Sequence, residues 1–140
     1  MKQILSLLLV LLANQAQAKC GDYPFNSVAY KDGKRVGLYI TADELNRDKP
    51  WSPDWGEPPL SMSQAVSIAL DWAGDFYPNY DSIAINYFTL SRSRCQQAED
   101  RWVYSFSLSP VVDGNVVIGK IHLAAVTMSG RVIEPRDVPN

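Results

Sequence analysis

At 140 residues, with 13 Lys and Arg against 15 Asp and Glu, the chain carries a formal charge of −2. That balance, without any basic run, excludes a nucleic-acid binder or a protein held on an anionic membrane surface, both of which need clustered positive charge. Hydrophobic residues make up 46% of the chain, enough for one domain with its own core.

The N-terminus reads as a secretory signal peptide, residues 1–18. Lys2 supplies the positive charge, Ile4 to Ala13 the apolar run, and Ala16-Gln17-Ala18 a small-x-small cleavage site. Cleavage after Ala18 is expected. Gln17 and Lys19 stand where a lipoprotein at Cys20 would need small residues. No later stretch is long and apolar enough to span a bilayer, so the mature chain, 19–140, is expected to be periplasmic or secreted with no membrane insertion. Cys20 and Cys95 are the only cysteines, and in an exported chain such a pair reads as a disulfide rather than two free thiols.

The mature chain reads as a single α+β domain: an N-terminal hairpin region (19–45), a loop rich in Pro and Trp (46–59), and a helix followed by strands (60–140). Asn26 to Ile40 forms the first hairpin around Asp32-Gly33, with Ser27 opposite Leu38 and Ala29 opposite Val36. Thr41 caps a short helical turn. Trp51 and Trp55 lie in the irregular loop. Ser61 and Gln64 form a capping box that opens the main helix. Met62, Ala65, Val66, Ala69 and Ala73 share one face, and Gly74 stands where the helix should end. Ser82 to Ser91 is a strand with Ile83, Ile85 and Tyr87 on one side.

A long hairpin over Arg101 to Met128 follows, turning at Asp113-Gly114. With Val112 opposite Asn115, an uninterrupted register sets Trp102 against Ala125, Tyr104 against Leu123, Phe106 against Ile121 and Leu108 against Gly119. The reverse side then pairs Ser105 with His122 and Ser107 with Lys120, a wet face. A last strand, Arg131 to Ile133, stops at Pro135, and a longer turn or bulge is expected before it. The fold class is therefore α+β: an antiparallel sheet of about four main strands with one helix on one face, plus the N-terminal hairpin.

The helix SMSQAVSIALDWAG, the strand RWVYSFSL and the ending AVTMSGRVI resemble the PepSY domain over Leu60 to Ile133 and, more loosely, cystatin-like folds. Where PepSY strands often carry an Asp shortly before the closing turn, this chain has Ala125-Val126-Thr127. The resemblance implies a small exported, non-catalytic module linked with inhibiting or chaperoning peptidases and other envelope enzymes. It carries over no functional residue.

Chemistry-bearing patterns are sparse. His122 is the single histidine, so a small cell-wall or peptide hydrolase would have to use it, with Ser105 opposite. No oxyanion element or G-x-S-x-G elbow accompanies the pair, and a solvated strand histidine is the plainer reading. One His and two oxidised cysteines cannot make a zinc set. Asp71, Asp75, Asn79 and Asp81 lack a calcium-loop pattern and read as helix-end and turn residues. No phosphate-cradling Gly-rich loop is present, and no cofactor, metal or catalytic residue is assigned. Trp51 and Trp55, with Tyr77 and Tyr80, would serve a carbohydrate-binding platform or else close the core. The expected role is binding another envelope or secreted protein, as an inhibitor or immunity protein for an envelope enzyme. The expected surface is Ser105, Ser107, Lys120 and His122 with Trp51 and Trp55, and a homodimer could form through the open sheet face.

Overall fold

The computed structural model describes residues 19–29 and 33–139. The expected signal peptide, 1–18, and most of the first Asp-Gly turn lie outside the described residues. In chain order the elements are β1 (Asn26–Ala29), β2 (Arg35–Leu38), α1 (Ala42–Asn46), a 3-10 turn (Pro53–Trp55), α2 (Met62–Phe76), β3 (Ser82–Arg92), β4 (Trp102–Val112), β5 (Asn115–Val116), β6 (His122–Thr127), β7 (Val132–Ile133) and β8 (Pro135–Asp137). They make an α+β fold with two antiparallel sheets. The larger runs β3-β4-β6-β7 with β5 paired to β4, and the smaller runs β1-β2-β8.

Helix α2 starts at its capping box. The Ser61 hydroxyl accepts from the Gln64 N–H, and the Gln64 side chain accepts from the Ser61 N–H. Ala65, Ala69 and Ala73 are fully buried, the small-residue stripe that lets a helix lie close on a sheet. Met62, expected on that face, is 54% exposed. The helix also runs past Gly74 to Phe76. Trp72 and Phe76, one turn apart, stack at 4.7 Å and support the extra half-turn, and Pro78 follows. Thr41 caps α1 with a second capping box, reciprocated by Glu44.

The long hairpin turns as its Asp-Gly pair requires, with positive φ at both Asp113 (51°) and Gly114 (74°). Val112 stands opposite Asn115 and Val111 opposite Val116. The uninterrupted register fails beyond that point. Gly119 adopts φ 81°, and the chain makes a second turn before β6 begins at His122. Phe106 therefore faces Ala124, Tyr104 faces Val126, and Leu108 faces His122. The offset from the simple register is three residues, an odd number, so the two sides of β6 are exchanged. Ser105 faces Ala125 and Ser107 faces Leu123.

The exchange explains the layering. On one side of the large sheet, Tyr104, Phe106, Leu108, Ala124 and Val126 pack under α2 together with Trp51 and Leu60. On the other, Val103, Leu123, Ala125 and Ile133 pack with Leu38, Ile40 and Leu45, from β2 and the segment that follows it. The face expected to be wet is thus an interior. Ser105, Ser107 and His122 are all buried, and only Lys120 of the expected four is exposed. A homodimer through that face has no open surface to use.

Three smaller corrections follow from the same packing. The first hairpin pairs Val28 with Val36 and Asn26 with Leu38, one residue from the expected register. Strand β3 has a bulge between Ile85 and Tyr87. The bulge sends Tyr87 outward at 60% exposure and brings Phe88 over Phe106 at 5.8 Å. Pro135 does not end the strands: the chain crosses at Glu134 into the small sheet, where Leu38 pairs with Pro135 and Val36 with Asp137.

Candidate functional site

The expected surface residues do not converge. Trp51 is 6% exposed. Its ring meets Trp102 edge-on at 5.5 Å, and its Nε1–H donates to the Gly56 carbonyl at 3.1 Å. The loop carrying it folds back on the core, so Trp51 cannot offer a stacking face to a sugar. Trp55 is 58% exposed but has lost its partner. Ser105 and His122 point to opposite faces of the sheet, which removes the Ser-His pair that a hydrolase would need. Among the described residues, no group of three or more His, Cys, Asp or Glu side chains could hold a metal.

His122 belongs to a ring cluster at the C-terminal end of α2. Its imidazole stacks on Tyr77 at 4.0 Å, and the Lys120 ammonium lies over the Tyr80 ring at 5.1 Å. The Nε2 atom is buried without a hydrogen-bond partner. Burial first, and then the Lys120 charge, hold the imidazole pKa below its ordinary value of 6.5. The folded chain thus binds the proton less readily than the unfolded chain. The stability contribution is complete above 6.5 and falls as pH drops from there toward the depressed folded pKa, where it levels off. The midpoint of thermal unfolding should decline as pH falls below the ordinary imidazole value of 6.5, and His122→Leu should flatten that decline. An unchanged slope in the variant would place the acid sensitivity elsewhere.

Three surface concavities among the described residues are lined by residues other than these rings. One, of 340 Å³, is bordered by Glu44, Arg47, Asp48, Ser129 and Arg131. Its charges are already engaged: Arg131 pairs with Glu44 at 3.4 Å, and Asp48 Oδ1 accepts from the Ser129 N–H at 2.8 Å. A second, of 750 Å³, runs along Arg92 to Gln96 and Glu99. It shares Arg92, Ser93, Arg94 and Cys95 with a third, of 510 Å³, beside the disulfide.

This third concavity has the more distinctive chemistry. One wall is the N-terminal segment, with Tyr23 and Phe25 exposed at 73% and 41%. The other is the end of β3 and its continuation, Ser91 to Cys95, and the floor is made by the buried side chains of Ile40 and Val103. The walls are held together by the Cys20–Cys95 disulfide.

Two glycines set the first wall. Gly21 has φ 101°, and a Cβ there would lie 2.9 Å from the Thr41 methyl. At Gly37 a Cβ would come within 2.5 Å of Pro24, so only glycine lets the N-terminal segment lie on β2. The Phe25 N–H then donates to the Leu38 carbonyl at 2.9 Å.

The second wall belongs to an edge strand. Strand β3 ends the order of the large sheet, and its eleven residues are long for an edge that no strand among the described residues covers. Cys95 was legible in the sequence as half of the disulfide. Tyr23, Phe25, Arg92 and Arg94 were not legible as a site, because nothing local marks residues about 70 apart as neighbours. No family model, curated protein or solved structure matches the chain.

Proposed function

We propose that the protein is an exported, non-catalytic module that binds another envelope or secreted protein through the free edge of β3 and the cleft beside it. The observation that carries this reading is the eleven-residue edge strand, which carries Tyr87 at 60% exposure on its cleft face and Phe88 at 36% on its helix face. An uncovered edge presents unpaired N–H and C=O groups, and adding a strand to such an edge is a recurrent mode of protein recognition. Export is supported by the N-terminal pattern and by the disulfide. Among the described residues no helix is long and apolar enough to cross a membrane. Inhibition of an envelope enzyme, or immunity to one, is the role that the PepSY resemblance of Leu60 to Ile133 suggests.

Site-specific photo-crosslinking tests the reading. A photoreactive residue at Tyr87 or Phe25, in the protein expressed in its own cells, should yield a discrete adduct. The same residue at Met62, 54% exposed on the helix side, should not. Equal labelling from all three positions, or none from the β3 edge, would overturn it.

A further inference from the structure

Resting on that reading, we infer that the cleft takes an extended polypeptide segment bearing carboxylates, added as a strand along β3 between Tyr87 and Ser93. The charge around the cleft is the first reason. Its described lining holds Lys19, Arg92 and Arg94 and no Asp or Glu, on a chain whose net charge is −2; of the carboxylates at its border, Asp22 is engaged by the Lys19 N–H at 2.7 Å and Glu99 faces the adjoining concavity. Arg92 spends part of its charge on Asp100 at 3.4 Å but remains 55% exposed at the side chain, and Arg94 is exposed. A local cationic rim on an acidic protein selects for an anionic partner and disfavours a cationic one.

The backbone supplies the second reason. The Ser93 N–H donates to the Arg101 carbonyl at 2.7 Å, so Ser93 turns its backbone groups toward β4. Antiparallel pairing alternates these directions, so Arg92, Leu90 and Phe88 turn theirs to the open edge. The pairing with β4 is regular from Tyr87 to Arg92. The bulge at Asn86 ends this regular stretch, as bulges on edges do. On the cleft side, Tyr87, Thr89 and Ser91 carry no charge and stand opposite Ser107, Ser105 and Val103, and Ser91 lines the cleft with Ile40 and Val103. A segment that alternates apolar and acidic residues fits both: apolar side chains toward the cleft floor, carboxylates within reach of Arg92 and Arg94.

The test is fluorescence-anisotropy binding of labelled peptides of about seven residues, the length of the regular stretch, to the mature protein. An alternating valine–glutamate peptide should bind saturably. Its valine–lysine counterpart should bind at least about tenfold more weakly. Methylating alternate backbone nitrogens of the acidic peptide should abolish binding, because strand addition needs those N–H groups. Arg94→Glu, an exposed change checked for an unaltered unfolding midpoint, should remove the preference for acid.

Equal binding of the acidic and basic peptides overturns the inference. So does indifference to N-methylation, which would mean charge attraction without strand addition, as an acidic polysaccharide would also show. Absence of any peptide binding also overturns it. If the peptides fail while the Tyr87 adduct persists, the binding function stands and only this account of its ligand falls. If both fail, both fall.

Discussion

Phe106→Ala is expected to destabilise the protein by about 3–5 kcal/mol, the range for emptying a well-packed aromatic site. Phe106 is fully buried at the centre of the interior beneath α2, beside Tyr104 and Leu108 and across from Ala124. Its neighbours are too constrained to refill the volume: β4 is paired with a strand on both sides, and the fully buried residues of the facing helix are the short side chains of Ala65, Ala69 and Ala73. Urea unfolding of the variant should show a lowered midpoint with an unchanged slope. Ile121→Ala is the informative companion. An uninterrupted hairpin would set Ile121 against Phe106, but the side chain is 36% exposed, so its truncation should be close to neutral. A large loss at Ile121 with a small one at Phe106 would mean that the second turn around Gly119 is misplaced.

The second large effect is expected from the disulfide. Cys20 and Cys95 are bonded across 75 residues. The chain-entropy treatment of a closed loop of that length assigns about 4 kcal/mol, an upper figure when one end is a terminal segment. The bond ties the N-terminal segment to the connection between β3 and β4, so it also holds the two walls of the cleft. Cys20→Ser with Cys95→Ser should lower the unfolding midpoint. It should also weaken binding at the β3 edge more than the loss of stability alone explains. If the protein is exported as proposed, mass spectrometry of material from its own cells should find the chain 19–140 about two mass units below its dithiol form, as an oxidising compartment requires. Alkylatable thiols in that material would count against both the bond and the export.

Much of the local structure was legible from residues a few positions apart. Asp113-Gly114 specified a tight turn because both residues accept positive φ. Ser61 with Gln64 marked one helix start by reciprocal capping, and Thr41 marked another as its cap. The alternation Trp102, Tyr104, Phe106, Leu108 identified the side of β4 that meets the helix, and the two cysteines behind an expected signal peptide pointed to the bond. Each rests on short-range geometry or on composition, which a sequence states directly.

The register of β6, the wet face and the binding surface were not legible, and the reasons are tertiary. Leu123, Ala124, Ala125 and Val126 are all buried, because β6 lies between α2 on one side and the small sheet on the other. A strand buried on both faces has no hydrophobic alternation, so its pattern cannot choose between two registers that differ by an odd number. The isolated Gly119 was the one local sign of a break, since a glycine inside a strand pattern marks a bulge or a turn. Pairing of Pro135 to Asp137 with β2 joins segments about 100 residues apart. Leu38, Ile40 and Leu45 likewise reach Val103, Leu123 and Ala125 from far along the chain and cover the serine side of the sheet, while among the described residues β3 stays at the sheet's edge.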